Sequence, residues 1–173
     1  ISFYKYTHIM RRTNLFLFFI LSSTCLQCGC KKEQAPKDLT LPRLMIESRG
    51  VDYSLIKGAT MKLPISGTTI NIQDQPLVDE FDILDVEIVK VELGVALLLQ
   101  VSPQASRALY RGSVANMGGR IVLMVNGNAI GARRIDGAIE DGNFYTFVEV
   151  DDEELIRLVY NIKASLATIQ KDK

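Results

Sequence analysis

Two neighbouring apolar patterns do most to limit the folds open to this chain. Between Leu84 and Leu93 apolar and charged residues alternate, and Val95–Val101 is almost continuously apolar. The alternation predicts a strand with one covered face, and the continuous run predicts a strand in the middle of a sheet. The alternation changes phase at Ile88-Val89, which predicts a β-bulge at that point.

Two other segments carry helical signals. Ser102-Pro103 predicts a helix start, with serine as the N-cap and proline at the first helical position, and Gly118-Gly119 predicts its end. Near the C-terminus, Asp151 and Glu154 have the spacing of a capping box. The apolar residues that follow recur at helical spacing and predict one buried stripe, formed by Leu155, Leu158, Val159, Ile162, Leu166 and Ile169.

Shorter β segments complete the prediction of the fold. Asn126-Gly127 predicts a tight hairpin turn directly after the apolar segment Ile121–Val125. Further strands are expected over residues 44–46, 60–64, 68–72 and 143–150. We therefore expect a single α+β domain over residues 39–173, with a mostly antiparallel sheet of about five to seven strands and two helices packed on one face.

Residues 1–29 have the composition of a secretory signal peptide. They hold three basic residues and no acidic one, then the apolar run Leu15–Leu21, then small and polar residues. The run is too short to cross a bilayer, which takes about 20 apolar residues. Met10 followed by two arginines is typical of a translation start, so residues 1–9 are expected to be an upstream extension.

Three cysteines lie at the end of this segment. Cys30 follows Gly29, the small residue expected before a lipid-modified cysteine, and Cys25 is the alternative. A disulfide or a metal site formed by Cys28 and Cys30 is another interpretation, for which the C-x-C spacing is a weak signal. We predict a lipoprotein in which Cys30 carries the lipid and residues 30–38 form a polar tether.

The composition of the remaining chain excludes several classes of function. After removal of residues 1–29, 17 basic residues stand against 20 acidic ones, which argues against nucleic-acid binding. His8 is the single histidine of the sequence and would be removed as well. Without it the domain has no Ser-His-Asp or Cys-His catalysis and no histidine-ligated zinc. We expect neither an enzyme nor a cofactor or metal site.

A series of short motifs runs from Val101 to Leu166, and its members are Val101-Ser102-Pro103, Asn116–Gly119, Arg120–Val125, Asn126–Arg133, Ile139, Asp141-Gly142 and Asp152–Leu155. In this order, over roughly 65 residues, they resemble the head subdomain of the first periplasmic domain of SecD, the accessory subunit of protein export. Most of these motifs are turn and core residues, so the resemblance implies a fold more than an activity.

The sequence also departs from that family. Arg133 stands where the family usually has proline, and Asn126 and Asn128 replace an aspartate and a lysine. SecD spans the membrane many times, whereas no segment of this sequence is expected to span it, so proton-driven translocation is not implied. The resemblance implies an affinity for unfolded or partly folded chains and no catalytic residue.

Two charged groups are candidates for a site. Asp79, Glu80, Asp82, Asp85 and Glu87 lack the order of a calcium loop and are expected to form a solvated loop and the outer face of a strand. Arg133 and Arg134 are the only adjacent arginines of the domain and lie in a glycine-rich stretch. We predict that they bind an anionic partner, and pairing with Asp136 or Glu140 is the simpler alternative.

Taken with the resemblance, the sequence predicts a lipid-anchored, non-enzymatic protein of the bacterial envelope that faces the periplasm. Its expected partner is protein, with the translocon or unfolded secreted chains as the partners that the resemblance implies. The alternative is a scaffold or docking lipoprotein unrelated to export. Both the inner and the outer membrane are compatible with this prediction.

Overall fold

A computed structural model describes the protein over residues 39–49 and 58–171, so the predicted signal peptide, Cys25, Cys30 and the tether lie outside the described residues. The described elements, in chain order, are β1 (Pro42–Ile46), β2 (Gly58–Lys62), β3 (Thr69–Gln73), a short 3-10 turn (Glu80–Asp82), β4 (Ile83–Val91), β5 (Gly94–Val101), α1 (Pro103–Ala115), β6 (Arg120–Val125), β7 (Asn128–Arg134), β8 (Asn143–Thr146) and α2 (Asp152–Lys171).

The α+β prediction is confirmed, with the described strands divided among three antiparallel sheets rather than gathered in one. The β5 sheet has the order β4-β5-β8, the β6 sheet has the order β1-β6-β7, and β2 pairs only with β3 in a hairpin. The continuous apolar strand is central in the β5 sheet, as its composition predicts.

β4 contains a bulge, but not at the position that the sequence predicts. The register shifts between Ile83 and Asp85, whereas Ile88 and Val89 pair without interruption with Leu97 and Ala96. The phase change at Ile88-Val89 has another cause: Val89 and Val91 are half-buried on the face opposite to Val86. Both faces of the strand are therefore partly apolar at this end. The phase change marks the point where the other face becomes covered, and it does not mark an inserted residue.

Both helices begin where their caps predict. The Ser102 hydroxyl accepts from the backbone N–H of Ala105, and Pro103 occupies the first helical position. The Asp151 carboxylate accepts from the N–H of Glu154 at 2.8 Å, at the start of α2. In α1, Ala105, Leu109 and the polar Ser113 are buried, whereas Val114 is 47% exposed.

The main core lies between the helices and the inner faces of the two three-stranded sheets. It contains the predicted stripe of α2 together with fully buried residues of both sheets, among them Leu44, Leu97, Leu99, Leu123 and Phe144. A second, smaller core packs the β2–β3 hairpin on the other face of the β6 sheet, through Ile70, Ile72, Val122 and Met124. None of the helices in the described part of the chain has the length and apolarity that a bilayer crossing requires.

Candidate protein-binding groove

The outer face of the β5 sheet carries an open groove of about 590 Å³. The β4–β5 hairpin forms one side, with Val91 and Leu93, and the ends of β7 and β8 form the other. The predicted strand over residues 143–150 ends at Thr146, earlier than expected, because Val148 bridges to Gly131 of β7. This bridge joins the two sheets beside the groove.

Gly131 is required for this junction. A side-chain Cβ at this position would overlap the carbonyl oxygen of Phe147 and press against Val148. Only a residue without a Cβ lets the two backbones approach so closely. The glycine therefore fixes where β7 and β8 come together and where the groove opens.

The register of the β5 sheet explains why the groove is apolar. Residues that face each other across antiparallel strands project from the same side of the sheet. Leu99 and Phe144 face the core, so the intervening pair, Leu98 and Tyr145, projects outward. Leu98 is nearly buried there, whereas Tyr145 is 37% exposed, Phe147 45% and Leu93 86%. Large apolar side chains are thus left open to solvent around one groove.

The two arginines singled out in the sequence both line this groove, but they have different partners. Arg134 pairs with Asp136, with Nε 3.3 Å from the carboxylate oxygen, as the simpler interpretation expects. Arg133 instead donates from Nη1 to the backbone carbonyl oxygen of Tyr145 at 3.3 Å. Among the described residues no carboxylate lies within 4.0 Å of its guanidinium.

The acidic cluster is not uniformly solvated, and this part of the prediction is wrong for Glu80. That side chain is buried, and Arg43 of β1 donates to its two carboxylate oxygens at 2.5 and 2.7 Å. The hydrogen bond from Arg43 lowers the pKa of the Glu80 carboxyl below its ordinary value. Asp79 caps the 3-10 turn and Asp85 pairs with Lys163, so these acids serve the fold. In the described ranges, no three acidic, histidine or cysteine side chains are grouped as metal ligands would be.

A smaller cavity of about 320 Å³ lies at the end of the β6 sheet, between Arg43, Met45, Met124 and the Asn126-Gly127 turn. Asn126 uses its side-chain oxygen to accept from the backbone N–H of Leu41 at 2.8 Å. The residues of this turn are therefore engaged in closing the sheet. The larger groove is the better candidate for a binding site.

Sequence reasoning found the arginines of the groove but missed its aromatic and aliphatic side. Alternation along the strand predicted over residues 143–150 places Tyr145 on the face opposite Phe144, as the register shows, yet no local pattern indicates that this face is left open. Leu93 carried a signal that could have been used, since a large apolar residue at the tip of a two-residue turn is exposed. The residues of the groove come from three separate segments of the chain.

No family model and no curated protein matches this sequence. Two solved structures share its fold. One is described as the "Crystal structure of SecDF in Super-membrane-facing form", with a TM-score of 0.54 and 16% identity over 71% of this chain and 18% of that one. The other is described as "Structure and function of a membrane component SecDF that enhances protein export", with a TM-score of 0.53 and 15% identity over 72% of this chain and 62% of that one. This chain therefore spans less than two thirds of either, and at this identity the likeness shows the fold alone, which is SecD-like.

Proposed function

We propose that this chain is a lipid-anchored, non-enzymatic envelope protein whose SecD-like domain binds protein chains and assists their export or folding. The observation that carries the proposal is the open apolar groove on a fold shared with a membrane component described as enhancing protein export. The domain would face the periplasm, where exported chains arrive unfolded.

The chemistry of the groove suits a polypeptide better than a small metabolite. Exposed aliphatic and aromatic side chains gain from covering apolar surface regardless of the sequence that covers them. Arg133 adds a donor that can reach a carbonyl or a carboxylate. A binder of many secreted chains needs this combination of non-directional contact and adaptable hydrogen bonding.

The decisive experiment is site-specific photocrosslinking in intact cells during export of a pulse-labelled secretory protein. A photoreactive residue in place of Leu93, which is 86% exposed beside the groove, should capture the secretory chain. The matched control is Tyr160 on α2, which is 75% exposed and does not line the groove. Equal capture at both positions, or none at Leu93, would contradict the proposal. Capture of a resident folded envelope protein at Leu93 would favour the docking alternative.

The arginines offer a second test of the same site. Arg133→Ser with Arg134→Ser should reduce the crosslinking yield at Leu93, because two donors leave the wall of the groove. The control variant is Arg107→Ser with Arg111→Ser on α1, which removes the same charge from exposed positions away from the groove. An equal loss in both double variants would mean that net charge, and not the groove, sets the yield.

Anchoring through lipid remains a proposal from the sequence and is tested separately. Cys30→Ala should release the domain from membranes or leave an unprocessed precursor, since acyl chains would hold it there. Cys25→Ala is the control for the choice of cysteine. If the Cys25 variant alone loses membrane attachment, the modified residue is Cys25, and if neither variant loses it, the chain is not a lipoprotein.

A further inference from the structure

The edge of β8 away from β5 borders the groove. It meets β7 at the bridge between Val148 and Gly131, and the Asn143 N–H at its start bonds to the Asp141 carboxylate. The backbone direction at Tyr145, between these two points, follows from one hydrogen bond.

Val101 donates from its N–H to the carbonyl oxygen of Gly142 at 3.0 Å, which makes these two residues a hydrogen-bonded pair. Such pairs alternate with non-hydrogen-bonded ones along antiparallel strands. Leu98 and Tyr145, three positions further on, therefore form a pair of the second kind. The backbone N–H and C=O of Tyr145 therefore point away from β5, toward the side where Arg133 of β7 lies.

Arg133 covers that edge with a weak contact. Its Nη1 lies 3.3 Å from the carbonyl oxygen of Tyr145, beyond the usual range for such a bond, and its side chain is exposed. A neutral carbonyl is also a poorer acceptor for a guanidinium than a carboxylate, which forms shorter and stronger charge-assisted bonds. A ligand that brings a carboxylate to Arg133 would therefore compete well for it and would leave the Tyr145 carbonyl free.

The neighbouring arginine shows why the two positions are not equivalent. Arg134 already has the carboxylate of Asp136 within 3.3 Å, whereas Arg133 has no such partner among the described residues. Glu92 lines the groove from the β4–β5 hairpin, on its opposite side. The pKa of the Asp141 carboxyl is lowered chiefly by a hydrogen bond from the Asn143 N–H and to a smaller extent by the charge of Arg133. No ion pair joins Asp141 to Arg133 among the described residues, so the Arg133 guanidinium can still donate to an anion.

Resting on the proposed function, we infer that the groove binds an extended segment of the partner chain as an added strand on β8. A carboxylate of that segment takes Arg133 from Tyr145, and the freed Tyr145 carbonyl accepts a backbone N–H of the segment. Alternate side chains of an extended segment project to one side, where Phe147 and Leu93 offer apolar contact. Backbone pairing tolerates many sequences, and Arg133 adds a preference for segments with an acidic residue among apolar ones.

The test uses the full chain in detergent micelles and a fluorescein-labelled, capped nine-residue peptide of alternating valine and threonine with a central glutamate. A matched peptide has glutamine in place of the glutamate. The glutamate peptide should bind about five-fold more tightly, the range expected for a partly exposed ion pair. Arg133→Gln should remove this preference, whereas Arg134→Gln should keep it. Arg133→Lys, which retains the charge, should keep most of the preference for the glutamate peptide. It is the control for loss of binding that arises from misfolding of Arg133→Gln.

Backbone pairing is tested by N-methylation of alternate amides of the same peptide. Methylation of the set that faces β8 should weaken binding about ten-fold, because each lost hydrogen bond leaves an edge carbonyl without its donor. Methylation of the other set should have little effect. Equal loss with both sets, no binding by any peptide, or a glutamate preference that survives Arg133→Gln would overturn the inference. So would self-association of the chain that Arg133→Gln abolishes, which would assign this edge to a second copy.

These outcomes are separate from those of the proposed function. If Leu93 captures secretory chains while the peptides show no dependence on Arg133, strand addition is wrong and protein binding stands. If Leu93 captures nothing, the proposed function fails whatever the peptides do.

Discussion

The β6 sheet and the β5 sheet share one core but differ in what covers their outer faces. On the outer face of the β6 sheet, Val122 and Met124 pack under Ile70 and Ile72 of the β2–β3 hairpin. On the outer face of the β5 sheet, Leu98 is nearly buried, but Tyr145 and Phe147 remain partly exposed around the groove. Both faces carry apolar residues, although the outer face of the β5 sheet also holds Glu87, Gln100 and Asn143, so the presence of apolar residues alone does not decide which face is available to a partner.

This difference indicates where binding is compatible with stability. A face that is already packed contributes to the free energy of folding and is costly to open, whereas a face left partly open can be covered by a partner. The following substitutions test the distinction, since stability should depend on the inner faces and the hairpin layer much more than on the groove.

The largest effect is expected at Phe144, which is fully buried on the inner face of the β5 sheet. Phe144→Ala should reduce the free energy of unfolding by about 3 to 5 kcal/mol, because the lost apolar contacts are accompanied by a cavity. Urea denaturation followed by circular dichroism measures this value. A loss below about 1 kcal/mol would mean that this part of the core is loosely packed.

The next effect is expected in the hairpin layer of the β6 sheet. Ile70→Ala, at a position only 2% exposed, should cost about 2 to 4 kcal/mol of stability for the same reason. The same denaturation experiment checks it. If Ile70→Ala changes stability no more than a surface substitution, the hairpin does not act as a cover and the contrast between the two sheets disappears.

The pair of Arg43 and Glu80 links β1 of the β6 sheet to the turn that precedes β4 of the β5 sheet. Because Arg43 lowers the pKa of the Glu80 carboxyl in the folded protein, the stability that this ion pair contributes is fully present above the ordinary carboxyl pKa of 4.5. It is lost as the pH falls through the lower folded pKa. Glu80→Gln should cost about 2 kcal/mol at neutral pH.

Thermal melts of the parent and the Glu80→Gln variant between neutral and acidic pH give the comparison. The difference in stability between the two proteins should shrink as the pH falls below 4.5, since the carboxylate becomes protonated. Asp85→Asn is a suitable control, because Asp85 pairs with Lys163 at a partly exposed position. A difference that does not depend on pH would contradict the assignment of the pH effect to Glu80.

The smallest effect is expected at the groove itself. Arg133→Ser with Arg134→Ser should change the free energy of unfolding by less than about 0.5 kcal/mol, because exposed charges contribute little to stability. A thermal melt measures it beside the crosslinking yield at Leu93. An unchanged melt with an unchanged yield would remove the arginines from the site, and a strongly lowered melting temperature would show that they are structural.

The local elements of this fold could be predicted because their signals are local. Ser102-Pro103 caps α1, and Asn126 and Gly127 adopt the positive φ angles of 48° and 82° that a tight hairpin turn requires. The α2 stripe could be read from spacing alone, since helix periodicity places these residues on one side. Tyr160, which lies outside this stripe, is accordingly 75% exposed.

The candidate site could be predicted only in part. Arg133 and Arg134 stood out as adjacent charges in a glycine-rich stretch, and both line the groove. The sequence offered Asp136 or Glu140 as a partner for either arginine, and only the structure shows that Arg134 pairs with Asp136 whereas Arg133 contacts the Tyr145 carbonyl. The position of the bulge in β4 was missed because the phase change at Ile88-Val89 reflected burial on both faces.

By itself the sequence determined the α+β class, the caps, the turns and the buried stripe of α2, because each depends on residues close together in the chain. It also excluded histidine-dependent chemistry from any chain cut at Cys30. Only the tertiary structure decided that the strands form separate sheets, that the β2–β3 hairpin covers one outer face, and that Leu93, Arg133 and Phe147 meet at one groove. These features depend on pairings between distant segments, whose free energies are set by the packing of the whole domain and not by any local run of residues.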